Sequence, residues 1–270
     1  MASIFDSVRL HVKYVGISVR GQLQYRASFI MASLGHLITT GAEIFGIWAL
    51  FAWTGNLKGW QLFEVGLFYG IVNVAFALAD GLARPFDTFS LLVKTGDFDI
   101  LLLRPRSTVL QVMGQEWQLM RVGRLAQGLL VLIWALVNVK HASPYNMIIV
   151  AFAVLGGACL FYGLFVLQAT MAFWSTETLE LMNILTYGGT ETAQYPLPIF
   201  RRWFQRFFIF IVPIGCVTYL PGIAILRKPD TILGTPLWLQ CFSPCLGVAF
   251  LIASLYIWQL GVRHYRSTGS

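Results

Sequence analysis

Four polar side chains on one apolar stretch are the residues best spaced for chemistry. Ser33, His36, Thr40 and Glu43 follow one another at steps of three, four and three, which on a helix confines them to an arc of about 80°. Ionisable groups at membrane depth are costly and face a bundle interior, a partner or water. The set has two readings. It is one wall of a cargo path, with Glu43 favouring cationic groups, or a contact between helices in which Glu43 is protonated or paired, for instance with His36. A second concentration of charge runs from Arg84 to Arg106, with Asp87, Lys94, Asp97, Asp99 and Arg104 mixed among Phe86, Phe89, Leu91, Leu92, Phe98 and the run Ile100–Leu103, and with Pro85 and Pro105 as fences. Asp97 and Asp99 alone are weak evidence for a metal. Cys241 and Cys245 are one helical turn apart, but no His or acid stands beside them. With Cys159 and Cys216 they lie in or beside apolar runs and read as small buried hydrophobes. There is no GxxxxGK[ST] to cradle phosphates, and no HExxH or GxSxG. No catalytic residue, metal site or bound cofactor is therefore expected, and uphill movement of cargo would draw its energy from another subunit or an ion gradient.

The elements that must carry these residues are membrane helices. The 270 residues are 57% hydrophobic and 11% charged, with mean hydropathy +0.69, against roughly 25% charge in a globular domain. The net charge of +7 is spread over the ends of apolar segments, as topology requires, and no basic run is long enough to form a nucleic-acid groove. The expected fold is all-α, a single domain over 1–270 with six transmembrane helices. Residues 4–24 alternate apolar and basic and predict an amphipathic interfacial helix within 1–26, or a basic lead-in to the first span. Spans are expected over about 27–53, 61–82, 117–137, 145–174, 204–226 and 242–260. With the N-terminus inside, 15 of the 19 basic residues become cytoplasmic, Arg201, Arg202 and Arg206 among them, and Lys58, Lys140, Arg227 and Lys228 lie outside. Both termini are then cytoplasmic, and so is the charged stretch 84–106, a handle for an energy-supplying partner. Residues 175–200 and 227–241 are each surface or re-entrant. Asp80 is expected to meet Arg84, and Arg124 to fix the depth of the third span. Gln127, Gln168 and Gln259 read as interhelical glue.

Three blocks of wording carry a resemblance: Phe98 to Val112 (FDILLLRPRSTVLQV), Thr186 to Leu226, and the terminal GVRHYRSTGS. With the hydropathy, they make the chain resemble ABC-2 type exporter permeases, in particular the bacterial ABC-2 family transporter subgroup encoded as two permeases with a separate ATPase. The resemblance implies a multi-pass protein of the bacterial plasma (inner) membrane. It implies a second permease, identical or paralogous, surrounding membrane lipids, and an ABC ATPase subunit that binds the ATP and Mg. It further implies docking of the helix after the second span into an ATPase cleft, with Asp87, Lys94, Asp97 and Asp99 as polar contacts and Phe89, Leu92 and Phe98 as apolar anchors. Gly188, Gly189, Tyr195 and Pro196 would form a hinge or elbow before the fifth span, or a plain helix stop and restart. The competing functions are a membrane-embedded lipid-modifying enzyme and a scaffold without a transport path.

Overall fold

The computed structural model describes residues 26–114, 122–139, 143–174 and 182–265. The expected interfacial helix lies, but for Arg26, outside them. Helix is the regular structure throughout the described residues, apart from one isolated bridge between Leu57 and Trp60.

Helix α1 is Arg26–Thr54 and α2 is Leu62–Asp87. Gln61 and Glu64 form a capping box at the start of α2, with the Gln61 N–H donating to Glu64 Oε2 at 2.9 Å. Three short helices follow: α3 (Phe89–Thr95), α4 (Asp97–Leu102) and α5 (Thr108–Met113). Next come α6 (Val122–Asn138) and α7 (Pro144–Met171). Ser143 caps α7 and Pro144 occupies its first turn, where a missing N–H costs nothing.

Nearly every residue of α2 from Glu64 to Ala83 is buried, and the bundle forms around it. Helices α6 and α7 pack along α2, and the last helix packs along α7. Glycines set the spacing. A Cβ on Gly70 would stand 2.7 Å from the Leu132 backbone, and one on Gly128 would stand 3.1 Å from the Val74 nitrogen. Close backbone approach is how helices gain contact where lipid supplies no hydrophobic driving force between them.

Past residue 182 the chain departs from the expected plan. A widened turn at Ile184–Gly188 leads into α8 (Gly189–Ala193) and a tight turn at Leu197–Ile199. Asn183 meets Gln168, and Tyr187 meets Asp87, at one end of the bundle. The Ile199 carbonyl accepts from Lys58 Nζ at 2.9 Å toward the other. Residues 182–199 thus run from the Asp87 end to the Lys58 end.

Then come α9 (Arg202–Arg206), a widened turn at Phe207–Ile211, α10 (Ile214–Val217) and α11 (Tyr219–Leu226). The two arms of this stretch, 202–211 and 214–226, are bent by 76°. The break falls at Val212–Pro213, where proline lacks the donor a continuous helix needs. The second arm follows α2 to its Leu62 end, where Lys228 pairs with Glu64 at 2.6 Å. The stretch begins beside Ile199 and ends at Lys228, so it re-enters from one end. The expected fifth span over 204–226 is thus two arms broken at Pro213, a broken span or a re-entrant loop. Arg201 and Arg202 belong with Lys58 and Lys228, not with the basic residues at the Asp87 end.

A loop and α12 (Leu237–Phe242) precede α13 (Cys245–His264). Gly156 of α7 and Gly247 of α13 meet backbone to backbone. Among the described residues, three helical stretches have the length and composition to cross a membrane: Leu62–Thr95, Pro144–Met171 and Cys245–His264. The bent pair would be a fourth if counted as one span.

Candidate functional site

The charged stretch folds into a platform at one end of the bundle. Helix α2 absorbs Arg84, Pro85 and Asp87 before Thr88 ends it. Gly96 adopts φ +77°, a left-handed turn that a side chain would strain, and so lets α4 fold back beside α3. Thr95 Oγ1 donates to Asp97 Oδ2 at 2.6 Å across that corner. The inner side of the platform is aromatic. Phe89 and Phe98 are 0% exposed, and their ring centroids are 5.0 Å apart. Phe89 lies 4.9 Å from Trp258, and Phe98 lies 5.5 Å from Phe173 and 5.1 Å from Tyr265. The Trp258 indole N–H donates to Thr108 Oγ1 at 2.9 Å and ties α5 to α13. The expectation that Phe89 and Phe98 are anchors for another protein is therefore corrected: both rings are spent inside this chain. Leu92 is half-buried against the same core, and Asp99 is half-buried near the Tyr265 hydroxyl. The outward face carries Leu91 (61% exposed), Ile100, Leu103 (85% exposed) and Leu110, among exposed Lys94, Asp97, Arg104 and Arg106.

Asp87 also points inward. Its Oδ2 accepts from Arg84 Nη1 at 2.7 Å and from the Tyr187 hydroxyl at 2.8 Å, and its Oδ1 accepts from Gln168 Nε2 at 2.9 Å. Gln168 Nε2 also donates to Asn183 Oδ1 at 2.8 Å. One carboxylate, 11% exposed, thus joins α2, α7 and the 182–199 stretch just where the platform begins. Arg84 forms an ion pair with Asp87.

Deeper in the bundle a polar cluster surrounds the middle of α2. Thr40 is buried and Glu43 half-buried, while the side chains of Ser33 and His36 lie outside the described set. Glu43, Arg124 and Glu191 all act electrostatically on the Tyr69 hydroxyl, and Glu43 and Arg124 act on Glu191. Arg124 belongs to this cluster and does not simply mark the start of a span. Its Nε donates to Asn73 Oδ1 at 2.9 Å, and its guanidinium lies 4.5 Å over the Phe76 ring. Phe76 in turn meets Tyr187 edge-on at 5.7 Å. Glu191 is exposed. Beside the cluster, α1, α2 and α6 leave a groove of about 630 Å³ with Tyr69 in its wall. Sequence reasoning singled out Glu43, gave Arg124 a different role and assigned none to Tyr69; Asn73 and Arg124, polar groups bordering apolar helices, were the available signal.

The glycine pair does not use its conformational freedom. Gly188 and Gly189 have helical angles, and glycine at 189 answers to packing, since a Cβ there would stand 2.7 Å from Ile214 Cδ1. Tyr195 is half-buried and Pro196 is extended and buried. The sharp bend in this region is the one at Val212–Pro213.

At the opposite end of the bundle Lys228, besides pairing with Glu64, sits 4.1 Å over the Trp60 ring. Asp230 closes the following loop. Burial alone would raise its pKa, but the Ile232 amide, the Thr235 hydroxyl and amide and the Leu233 amide outweigh it and hold the carboxyl below its ordinary value. Among the described residues no three His, Cys, Asp or Glu side chains gather to hold a metal ion.

Comparison with known proteins gives one match. A family model described as ABC-2 family transporter protein covers residues 37–269. No curated protein and no solved structure matches the chain.

Proposed function

The chain belongs to the ABC-2 transporter family, and from that premise we propose that it is the permease subunit of an ATP-driven exporter of the bacterial plasma membrane, working as a pair of permeases with a separate ATPase that carries the ATP and Mg. Six passes fit the direction of the chain: α1, α2, α6, α7, residues 182–199 and α13, with 202–226 re-entrant. Both termini then fall on the Asp87 side, which is the cytoplasmic one. Cargo passes along the face where α1, α2 and 182–199 meet, with Thr40 and Glu43, and by the spacing on α1 Ser33 and His36, as part of its wall.

The observation that carries this reading is the two-sided platform. Its inner aromatic side is locked to α2, α7 and α13, and its outer side leaves Leu91, Ile100 and Leu103 uncovered among charges. A surface that is rigidly joined to the spans, and apolar where it meets water, suits a partner that drives the spans. The ATPase grips Leu91, Ile100 and Leu103, with Lys94, Asp97, Arg104 and Arg106 as the polar rim. Asp87 transmits the pull to α7 and to residues 182–199. A lipid-modifying enzyme would give this platform no partner to meet.

The test is mild-detergent purification of the tagged chain from its native membrane, with an assay for ATP hydrolysis. The expected result is a co-purified ATPase that is lost with Ile100→Asp or Leu103→Asp, while each variant still runs as a folded, monodisperse protein. Recovery without any ATPase, or full retention of the ATPase by both variants, would overturn the reading.

A further inference from the structure

A second cavity, of about 580 Å³, lies at the Lys228 end of the bundle, between the start of α7, the end of α11 and α12. Asn146, Arg227 and Gln240 give it polar lining, and Ile149, Ala224 and Leu237 apolar lining. Lys228 also lines it, but its ammonium is spent on Glu64 at 2.6 Å and on the Trp60 ring. No Asp or Glu is among the described lining residues. Arg227 is the cation left over: among the described residues its guanidinium makes no hydrogen bond or ion pair. The backbone at this position is unusual too. Arg227 has φ +53° and ψ +36° where α11 ends, a left-handed cap that suits glycine. The other described residue besides glycine with positive φ is Lys58, and there the side chain is employed, its Nζ donating to the Ile199 carbonyl at 2.9 Å. At Arg227 the same strain is borne for a side chain without a partner in this chain, and strain of that kind gathers where a ligand is held.

We propose that this pocket holds an anionic phospholipid of the outer leaflet, with its phosphate on the Arg227 guanidinium. The leaflet rests on the permease reading, and the site itself does not. Three features select this ligand. A guanidinium pairs with phosphate through two parallel N–H donors. The described lining offers no carboxylate to a choline or ethanolamine group, and so favours a headgroup that is negative overall. Tyr145 and Leu237 line the pocket and are exposed, as is Trp238 next to Leu237. Lipid-facing aromatic and apolar surface thus adjoins the cation where the span Pro144–Met171 begins, the depth at which Trp and Tyr anchor spans. A soluble anion would use Arg227 and leave that surface uncovered.

The experiment is native mass spectrometry of the full chain in mild detergent, titrated with dioleoyl phosphatidylglycerol, dioleoyl phosphatidylcholine or glycerol phosphate. Phosphatidylglycerol is expected to bind about tenfold more tightly than phosphatidylcholine, without competition from millimolar glycerol phosphate. Arg227→Gly should lower the phosphatidylglycerol affinity to that of phosphatidylcholine, yet unfold no earlier than the wild type on heating, because glycine suits the left-handed angles. Arg227→Lys keeps the charge but not the paired donors, and should bind several-fold more weakly. Arg263→Gln, which removes a positive charge from the last turn of α13 at the opposite end, should bind as the wild type does. Equal affinity for the two lipids, or full affinity in Arg227→Gly, would overturn the proposal. Competition by glycerol phosphate would overturn the lipid assignment and leave a site for a soluble anion. Co-purification of an ATPase decides the permease reading separately, so the lipid site can fail while that reading stands.

Discussion

The knot at Asp87 makes a prediction that the rest of the coupling argument depends on. Three donors converge on two oxygens: Arg84 and Tyr187 on Oδ2, Gln168 on Oδ1. Asparagine has nearly the same shape but offers one acceptor oxygen and one amide that can only donate. In Asp87→Asn at least one donor therefore faces another donor, and the Arg84 guanidinium loses its counter-ion. Hydrogen bonds to charged groups contribute about 1.5–3 kcal/mol, and an orphaned buried donor costs about 1–3 kcal/mol, so the substitution should destabilise the chain by about 2–3 kcal/mol. Tyr187→Phe removes one donor but keeps the ring against Phe76 and Phe165, and should cost about 1.5 kcal/mol. If the hydroxyl bonds to the carboxylate as a charge-assisted pair, much of its value vanishes in the Asn background, and the double-mutant cycle should give a coupling of about 1 kcal/mol. Unfolding by sodium dodecyl sulfate titration in mixed micelles measures all four proteins. A coupling indistinguishable from zero, or an Asp87→Asn variant as stable as the wild type, would refute the reasoning, and with it the idea that this carboxylate joins the platform to the bundle.

Other outcomes follow from the same geometry. Gly247→Ala should destabilise by about 1–3 kcal/mol, because the new methyl would press on the Gly156 carbonyl. Gly46→Ala, where a Cβ meets nothing within 4 Å, should be neutral or slightly stabilising through helix propensity, and the same titration compares the two. The Asp230 pKa lies lower in the folded loop than in the unfolded chain, so its contribution is present above the ordinary aspartate value and is lost as pH falls through the lowered one. Hydrogen exchange at the Ile232 and Thr235 amides should accelerate there in the wild type, and at neutral pH in Asp230→Ala. Phe76→Leu removes the ring under Arg124 and beside Tyr187. It should destabilise the chain by about 1–2 kcal/mol in the same titration, and unchanged stability would count against that contact.

Much of this structure is legible in the sequence because lipid imposes a composition. Apolar runs and the isolated charged stretch both show themselves without any partner in view. Which side of the platform faces inward does not. Phe89 and Val93 are spaced four apart, and Phe98 and Leu101 three apart, yet Leu91 and Ile100 are as apolar, and helices this short have two faces of similar character. The decision rests with Phe173, Trp258 and Tyr265, which are distant in sequence. Arg124 and Asn73 are 51 residues apart, so no local pattern pairs them. The break at Pro213 carries a local signal, but over 204–226 the apolar length of a full span outweighs one proline. The direction of that stretch depends on the contact between Lys58 and Ile199, which charge counting cannot anticipate.

These long-range contacts also explain why one helix can serve both ends of the molecule. Helix α2 is buried for most of its length, so it cannot bend toward its neighbours without opening close-packed contacts. A pull on the platform reaches it through Asp87 and reaches α13 through Phe89 and Trp258. Tyr187 shares Asp87 with the platform and shares Phe76 with Arg124. Residues 182–199 therefore cannot move relative to α2 without either breaking the Asp87 bond or shifting the ring on which Arg124 rests. In the first case platform and bundle part. In the second the guanidinium shifts on its aromatic support, and the polar cluster around the middle of α2 shifts with it. Nucleotide-driven motion would then reach the middle of the bundle without direct contact from the platform, and by no more than the difference in nucleotide binding between the two arrangements. The polar groups inside this membrane bundle are thus placed where a movement at one end becomes an electrostatic change in the middle.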